Sequence, residues 1–423
     1  MASILILSRN GDGVPLALRL AQEGHIAKMY IKEDKAKASL KGYKNPSQVG
    51  DPRKFLEQYD LVLCDMAKIG DLCDELTAKG KLVLGGGSFN DKLELDREYG
   101  EKVISKLCPE CKMPPTVKCT TPEEIIDHLE SSGKAQVIKP LGNKPVGLTL
   151  VSSDPKNRTS ISIIRERGKD CVPCIIQERV DGIEISTEGW FNGKQWVLPF
   201  NHTMEKKRFF VGDRGQNTGC MGNVVWATAS NKLTQSVLEP LAPLLEKVNY
   251  IGPLDVNCII SKSGPWFLEL TPRFGYEAIQ TWGELLKCSL FDYFWGIATQ
   301  SKTEFPVYDG YGLGVRLSVN PYPNEEDVEK WQGVQVIDVP KEADKHVWLA
   351  DVMKENGGTP VLAGVDGVIG CITAKGSDVH EARRRVYRTI RSICITDDVQ
   401  YRTDIGDGVE DAKRKLTEWG WLG

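Results

Sequence analysis

The sequence predicts a multidomain α/β protein, and three observations carry that prediction. The chain has 423 residues, which corresponds to about three domains at roughly 150 residues each. Short apolar runs alternate with amphipathic segments, which is typical of an open sheet covered by helices. The 41 glycines cluster beside the predicted strands, so they indicate tight turns and close backbone approaches.

Composition excludes several classes of protein. Hydrophobic residues make up 41% of the chain and charged residues 26%, which excludes a wholly disordered, collagen-like or coiled-coil protein. The net charge is −4, so no general affinity for nucleic acid or an anionic membrane is expected. We therefore expect no nucleic acid and no membrane among its partners. The composition does not set the oligomeric state, a monomer or a small homo-oligomer.

The cysteines bear on the cellular compartment. The N-terminal apolar run, Ile4–Leu7, is too short for a signal-peptide core, and no run approaches the 18 residues of a spanning helix. We expect a cytoplasmic protein with reduced thiols. The pairs Cys108/Cys111 and Cys171/Cys174 have metal-ligand spacing. A long structured segment separates them, which favours reduced thiols over a zinc site.

The first part of the chain reads as a small open-sheet domain. A buried strand at 2–8 leads through Gly11-Asp12-Gly13 into a helix at 14–25. The glycine turn is either an anion-binding turn or simply a tight one. Further parallel strands are predicted at 61–64 and 81–85, with a helix at 71–80 between them.

The middle and final parts contain more strands. Helices are predicted at 94–107, 121–134 and 233–250, and strands at 135–140, 147–152, 174–180, 185–191, 195–199, 254–260 and 265–270. Beyond residue 311 the sequence predicts strands at 312–319 and 367–376 and a helix at 380–393. That helix carries five arginines, and a solvated face is favoured over a nucleic-acid surface because the chain is acidic.

Two segments suggest nucleotide binding. Lys139 ends a strand, and the glycine-flanked loop Gly142–Gly147, which contains Lys144, follows it. Such a loop can cover phosphates with backbone N–H groups and a lysine charge. Glu178 and Glu184 flank a short glycine turn, where a strand edge can meet an adenine and a carboxylate can hold ribose hydroxyls. Taken alone, this second pattern is better explained by an ordinary edge strand with a glycine turn.

Oxygen ligands recur with a period of two on two neighbouring strands. Asp255 shares a face with Asn257, and Glu269 with Thr271. Buried carboxylates need a partner charge, and hard oxygen ligands suit Mg²⁺ bound to phosphates. Arg273 follows directly and could clamp a phosphate or a carboxylate.

A glycine-rich segment at 212–222 predicts a loop built for close backbone approach. It contains Asn217, Thr218 and Gly219, and the charged residues Glu205, Lys207 and Arg208 precede it. A plain surface loop is the alternative.

In this order the motifs resemble those of ATP-grasp ligases, and closely those of the phosphoribosylamine–glycine ligase family. QNTGCMG at 216–222 is similar to the family's PNTGGMG, and LELTPRFG at 268–275 to its LEFNxRFG. YRTDIG at 401–406 resembles its end motif, and 312–323 the opening of its C-terminal domain. The resemblance covers essentially the whole chain.

The resemblance implies an α/β fold with three parts. These are a pre-ATP-grasp open-sheet domain at 1–92, an ATP-grasp core at 93–310 with a mobile α+β lid at about 114–182, and a small α+β C-terminal domain at 311–423. It also implies that the two cysteine pairs lie at opposite ends of the lid. ATP and Mg²⁺ or Mn²⁺ are the implied cofactors.

The resemblance also implies roles for individual residues. The phosphate-binding positions of the family match Lys139, Gly142, Lys144, Gly147 and Arg97. Glu178 and Val180 match the adenine edge, and Glu184 the ribose carboxylate. Glu269 matches a metal ligand, with Asn257, Asp255 and Thr271 as companions. Arg273, Asn217, Thr218 and Gly219 match the reaction centre, and Glu205, Lys207 and Arg208 would touch the amino acid.

The sequence departs from the family pattern at ATP and metal positions and at two places where the family binds its amine. Arg97 replaces a lysine, and Thr271 replaces a metal-binding asparagine. The family's GNGGREHA opening is changed at 8–15, which contains Gly11, Asp12 and Gly13, and its GPE turn has become Cys64-Asp65-Met66. The expected function is ligation of glycine to phosphoribosylamine. A ligase for a different amine and a non-catalytic nucleotide-binding protein are the alternatives.

Overall fold

The computed structural model describes residues 1–141, 149–324, 327–334, 339–355, 357–393, 396 and 398–422. Three predicted phosphate-binding residues, Gly142, Lys144 and Gly147, lie outside these ranges. No helix in the described part of the chain is long and apolar enough to cross a membrane.

The N-terminal part forms a parallel sheet of five described strands in the order β3-β2-β1-β4-β5. Its strands are β1 (Ser3–Ser8), β2 (Ile26–Ile31), β3 (Ser47–Gln48), β4 (Leu61–Cys64) and β5 (Val83–Leu84), and its helices are α1 (Val14–Gln22) and α2 (Gly70–Ala78). The apolar runs of β1 and β4 are almost wholly buried, because helices cover both faces of a parallel sheet. The sequence reasoning had missed β2 and β3.

The helix predicted at 94–107 is wrong as a single element. The structure has α3 (Ser88–Leu95) and α4 (Arg97–Leu107). Asp96 separates them with a non-helical backbone, and its side chain accepts a hydrogen bond from the Tyr99 N–H. An aspartate cap of this kind satisfies a free donor at a helix start. It also sets Arg97 on the first turn of a new helix.

Residues between about 116 and 178 form a separate small layer. Its antiparallel sheet has the order β6-β9-β7-β8 in the described residues. The elements are β6 (Thr116–Cys119), α5 (Pro122–Ser131), β7 (Gln136–Pro140), β8 (Leu150–Val151), α6 (Arg158–Cys171) and β9 (Cys174–Glu178). Thr121 and Glu124 form the predicted capping box of α5. This layer, which coincides with the predicted lid, has its own hydrophobic cluster.

The cysteine pairs lie in different hydrophobic clusters. Cys108 and Cys111 belong to the main core, where the Cys111 Sγ lies 3.8 Å from the Cys258 Sγ. Cys171 and Cys174 belong to the lid cluster. This separation agrees with thiols that serve as small buried apolar groups.

A larger antiparallel sheet forms the centre of the molecule. The order is β16-β15-β10-β11-β14-β17-β21-β18, and β22 pairs with β17. Its strands are β10 (Ile183–Asn192), β11 (Trp196–Glu205), β14 (Gly222–Thr228), β15 (Ile251–Ser261), β16 (Gly264–Thr271), β17 (Tyr311–Val319), β18 (Val347–Leu349), β21 (Val368–Gly376) and β22 (Val399–Gln400). The predicted C-terminal domain therefore continues this sheet through the β14–β17 pair. The domain boundaries stay a prediction.

The remaining elements pack on the sheet or extend from it. They are a ribbon of β12 (Arg208–Phe210) and β13 (Arg214–Asn217), a hairpin of β19 (Val352–Lys354) and β20 (Pro360–Leu362), and the helices α7 (Lys232–Val237), α8 (Ala242–Lys247), α9 (Ala278–Leu285), α10 (Leu290–Ala298), α11 (Val379–Ser392) and α12 (Val409–Glu418). The single helix predicted at 233–250 is wrong. A 3₁₀ turn at Glu239–Leu241 divides it, because Pro240 and Pro243 cannot continue a helix interior.

Candidate functional site

The candidate site is built on one polar face of the central sheet. In the β15–β16 pair, Asp255 lies opposite Thr271 and Asn257 lies opposite Glu269. Directly opposed residues of an antiparallel pair point to the same face. The register therefore brings together the four predicted metal-site residues. The neighbouring strand adds Glu184, whose Oε1 accepts a hydrogen bond of 3.1 Å from the Asn257 amide.

Lys207 lies among the carboxylates of this face. Its Nζ is 3.0 Å from Glu184 Oε1 and 3.1 Å from Glu269 Oε1. Glu205 is more distant, with its Oε2 at 3.9 Å. One ammonium group thus serves three carboxylates, in the position where a bound cation would otherwise balance their charge.

These contacts set the protonation of the site. The Lys207 charge lowers the pKa of Glu269 to about 2. Burial acts to raise the pKa of Glu184, but the Lys207 charge and the Asn257 hydrogen bond together lower it. Both carboxylates are therefore ionised at neutral pH. Burial would lower the pKa of Lys207, yet its carboxylate neighbours raise it well above normal.

The rest of the face is more deeply buried and is short of positive charge. Burial raises the pKa values of Glu188 and Glu205 to about 7. Burial and the neighbouring carboxylates raise the pKa of Asp255 well above its usual range. An unpaired buried carboxylate is costly, so these groups would gain from an added cation.

The donor set partly fits a divalent metal. Asp255 Oδ1 and Asn257 Oδ1 are buried and accept no hydrogen bond within the described residues. Hard oxygen donors of this kind suit Mg²⁺. However, no group of three His, Cys, Asp or Glu side chains in the described ranges is already spaced to hold a metal ion. The face supplies ligands for a metal that brings other oxygens with it, such as those of phosphates.

Two cations from different parts of the chain lie near these carboxylates. Lys139 lies at the end of β7, and Arg97 is the first residue of α4. Burial and the Arg97 charge lower the pKa of Lys139 to about 8, against the opposing effect of Glu269. Two cations whose charges repel each other at a cleft are well suited to a polyanion such as a triphosphate.

The predicted adenine edge lies where the lid joins the central sheet. Glu178 is the last residue of β9, and both of its carboxylate oxygens lie 2.8 Å from the Lys134 Nζ. Val180 follows and is half-buried. The chain then enters β10, which carries Glu184. The edge strand expected here is wrong, because β9 lies between β6 and β7, with Glu178 opposite Gln136.

The predicted glycine loop is partly a β-ribbon, so the loop prediction needs correction at 214–217. Strands β12 and β13 pair with Asn217 opposite Arg208. The Thr218 N–H and hydroxyl both donate to the Lys207 carbonyl, at 2.8 and 2.9 Å. A Cβ at Gly219 would lie 3.0 Å from the Tyr276 ring. The ribbon and its return strand thus fix the backbone of Lys207.

A buried arginine anchors this ribbon to the C-terminal part of the chain. Arg402 is fully buried and donates to the Arg208 carbonyl at 2.8 Å and to Asp213 Oδ1 at 2.9 Å. It also pairs with both oxygens of Asp404. The YRTDIG motif therefore holds the ribbon in place. The sequence reasoning quoted this motif but gave Arg402 no role.

Arg273 also has a partner that the sequence reasoning missed. Its Nε lies 2.9 Å from Glu94 Oε1. The Glu94 charge raises the pKa of Arg273 although burial opposes it, so the guanidinium stays charged. Both side chains line a cleft with Arg97, Glu269 and Thr271. Nothing in the local sequence around Glu94 indicates this pairing.

The predicted acceptor turn lies at a second cavity, beyond Arg273. Gly11 has a φ of +97°, a conformation that favours glycine. A Cβ at Gly13 would lie 2.7 Å from Asp65 Oδ2, so only glycine lets the turn approach Asp65 this closely. Asp12 and Asp65 line the cavity together with residues that follow Arg273, from Phe274 to Glu277.

Comparisons with known proteins show which proteins this chain resembles. Residues 101–278 match the family model described as the phosphoribosylglycinamide synthetase ATP-grasp (A) domain. A phosphoribosylamine–glycine ligase from Corynebacterium ammoniagenes is 26% identical over 86% of this chain and 88% of its own length. The Clostridium acetobutylicum ligase of the same name is 24% identical over 95% and 99%.

Solved structures show the same fold. A phosphoribosylamine–glycine ligase from Thermotoga maritima superposes with a TM-score of 0.72 at 20% identity, covering 95% of this chain and all of that one. A biotin carboxylase from Campylobacter jejuni gives 0.64 at 12% identity, covering 100% of this chain and 97% of that one. The mixed α/β ATP-grasp fold, the resemblance to this ligase family and the ATP-grasp carbon–nitrogen ligase class are confirmed. The class implies ATP and a divalent metal.

Proposed function

We propose that this chain joins glycine to 5-phosphoribosylamine, with ATP hydrolysed to ADP and phosphate, to give glycinamide ribonucleotide for purine biosynthesis. The observation that carries the proposal is the polar sheet face, where ionised Glu184 and Glu269 face the cations Lys139 and Arg97. The names of the relatives in the comparisons support the two substrates.

The reaction has two balanced steps. A carboxylate oxygen of glycine attacks the γ-phosphorus of ATP, which forms an acyl phosphate and releases ADP. The amine nitrogen of the acceptor then attacks the acyl carbon, phosphate leaves, and the nitrogen gives up a proton as the amide forms. The protein acts by orienting the reactants and stabilising the transferring phosphoryl group.

ATP would lie between the lid and the central sheet. Lys139 and Arg97 would bind its phosphates. Gly142, Lys144 and Gly147, which lie outside the described residues, are predicted to join them. Glu178 and Val180 would offer backbone groups to the adenine, and Glu184 would hold the ribose hydroxyls. Closure of the lid would exclude water, which otherwise hydrolyses the acyl phosphate.

A Mg²⁺ or Mn²⁺ ion would be held by Glu269 and Asn257, with Asp255 and Thr271 beside them. Such an ion neutralises charge on the phosphates during transfer. Lys207, whose Nζ lies against Glu184 and Glu269, would share these carboxylates with the ion.

The remaining site residues would act on the substrates. Arg273 would stabilise the acyl phosphate, and Asn217, Thr218 and Gly219 would contact the reacting group through the backbone of the ribbon. The amino acid would meet Glu205, Lys207 and Arg208. The acceptor amine would enter at the turn formed by Gly11, Asp12 and Gly13. We expect the protein to work in the cytoplasm as a monomer or small homo-oligomer.

The test is ADP release measured with ATP, Mg²⁺ and glycine, with and without phosphoribosylamine. The proposal requires turnover that depends on both glycine and phosphoribosylamine, with one ADP formed per glycinamide ribonucleotide. Turnover only with a different amine would favour a ligase of other acceptor specificity. ATP binding without turnover for any pair of substrates would favour a non-catalytic nucleotide-binding protein.

A further inference from the structure

A cavity with no place in the proposed reaction lies between α1, α9, β21, α11 and the segment at 340–348. Its volume is about 690 Å³, within the roughly 300–1,000 Å³ of typical small-molecule sites. None of the described residues that we assign to ATP, the metal, the amino acid or the acceptor lines it. Among the described residues it shares only Trp348 with the cavity at the acceptor turn. It is therefore a separate site.

Cationic side chains dominate the walls of this cavity. Five of them come from four parts of the chain: Arg19, Lys345, Lys375, Arg385 and Arg388. The whole chain carries a net charge of −4, so this is a local concentration of positive charge, and we call the site the basic cavity. The side chains of Lys345 and Arg388 form no ion pair or hydrogen bond with any described residue.

The acidic side chains of the basic cavity are fewer, and two of them are already engaged. Glu23 accepts two backbone N–H groups at the start of α10, at 3.0 and 3.1 Å. Glu284 Oε1 accepts a hydrogen bond from the Thr373 hydroxyl at 2.6 Å and lies 2.7 Å from His346 Nδ1. The third acid, Glu342, is exposed. The cavity therefore keeps an excess of positive charge.

Arg19 brings to this cavity a donor that has no acceptor. Its guanidinium carbon lies 3.9 Å from the centroid of the Trp348 ring, and one terminal nitrogen donates to the Lys345 carbonyl at 2.7 Å. These two contacts fix the plane of the guanidinium. The Arg19 Nε is buried and donates to no acceptor within the described residues. Buried polar atoms in native proteins are nearly always satisfied, so this N–H points to an acceptor that a ligand brings.

The arginine-rich helix α11 forms one wall of the basic cavity. Arg385 and Arg388 are three residues apart, so their side chains leave the same face of the helix. Arg385 pairs with Glu381 of its own helix at 2.7 Å, which leaves Arg388 as the uncommitted charge of this wall. Arg391, on the same helix, is exposed and does not line the cavity. The helix thus turns part of its positive charge toward a concave surface.

We propose that the basic cavity binds a small molecule that carries a phosphate group, at a site separate from the nucleotide site. Guanidinium and ammonium groups are well suited to bind phosphate oxygens. A phosphate dianion would supply an acceptor to the Arg19 Nε and a counter-charge to Arg388 and Lys345. The concave shape and the volume fit a small molecule rather than a nucleic-acid backbone. The assignment does not rest on the proposed ligase reaction.

The test is titration calorimetry of the whole chain with inorganic pyrophosphate as the probe, with ADP present at saturation to occupy the nucleotide site. Arg388→Glu and Arg391→Glu change the net charge equally and lie on the same helix at exposed positions, but only Arg388 lines the cavity. We expect Arg388→Glu to raise the Kd for pyrophosphate at least tenfold. Arg391→Glu should leave that Kd within about threefold of its normal value.

A third variant separates the basic cavity from the nucleotide site. Lys139→Ala should leave the Kd for pyrophosphate unchanged while ADP is present. Binding that is lost in Lys139→Ala but kept in Arg388→Glu would assign the probe to the nucleotide site and overturn the proposal. Equal weakening in Arg388→Glu and Arg391→Glu would also overturn it, because the effect would then come from the general charge of the helix. So would the absence of binding to the unaltered chain at millimolar pyrophosphate.

Discussion

Replacement of Arg402 by alanine should detach the ribbon of β12 and β13, which follows Lys207, from the C-terminal part of the chain. Arg402 is fully buried and contacts three groups: the Arg208 carbonyl, Asp213 and Asp404. The first two lie far from Arg402 in sequence. Alanine would remove every one of these contacts. It would also leave Asp404, which is only 13% exposed, without its cation.

The loss of unfolding free energy depends on how exposed each partner of Arg402 is. Breaking a buried ion pair costs about 3–5 kcal/mol, and the Asp404 pair approaches that case. The carbonyl hydrogen bond adds about 1 kcal/mol. Asp213 is half exposed, so its pair contributes about 0.5 kcal/mol. We expect a loss of about 4.5–6.5 kcal/mol of unfolding free energy, visible as a Tm lower by about 5–10 °C.

The assay combines thermal unfolding, limited proteolysis and ADP release. Arg402→Ala should expose the ribbon at 209–216 to proteases and lower kcat/KM at least tenfold, while Arg402→Lys should lose about half as much stability. Arg414→Ala is the matched control, because Arg414 is mostly exposed and pairs only with neighbours on α12. Equal Tm values for Arg402→Ala and Arg414→Ala would refute the anchor. A lower Tm with unchanged kcat/KM would refute its link to the site.

Three further changes test other parts of the site. Glu269→Gln should lower ADP release at least 100-fold and raise the Mg²⁺ concentration needed for half-activation, because it removes a charged ligand. The control Glu246→Gln, at an exposed helix position, should change neither quantity. The pKa of Lys139 is about 8, so the ammonium is charged below that pH and neutral above it. KM for ATP should therefore rise above pH 8, and Lys139→Arg should flatten that rise. Gly13→Ala should raise KM for the acceptor, measured by ADP release, because its methyl group would strike the Asp65 carboxylate, and leave KM for ATP unchanged.

Local signals predicted a large part of the fold. The buried strand β1 follows from an apolar run, and the cap of α5 from Thr121 and Glu124 three residues apart. The sequence reasoning missed β2 because Lys28 and Tyr30 interrupt its apolar pattern; both are only partly buried at one side of the parallel sheet. The helix at 233–250 was wrong because its apolar spacing outweighed two prolines in the prediction.

In the candidate site, too, local sequence patterns predicted some residues and missed others. The period of two on β15 and β16 brought Asp255, Asn257 and Glu269 to one face before the register was known. The partners of the arginines could not be found in this way. Glu94 lies 179 residues from Arg273, and Asp213 lies 189 residues from Arg402. Only the packing of whole elements brings such pairs together. Sequence motifs therefore predict the residues that contact ligands better than the residues that hold them in place.

The loop after β16 joins the two halves of the proposed reaction. Glu269, near the end of β16, lies at the predicted nucleotide face, and Glu277, after the loop, lies at the predicted acceptor cavity. The acyl carbon and the amine must approach to about 3–3.5 Å, so the residue between the two cavities has to be held in place. Arg273 occupies that position, and its charge is felt by Asp12 as well as by Glu94. By pairing with Arg273, Glu94 holds the guanidinium in this position.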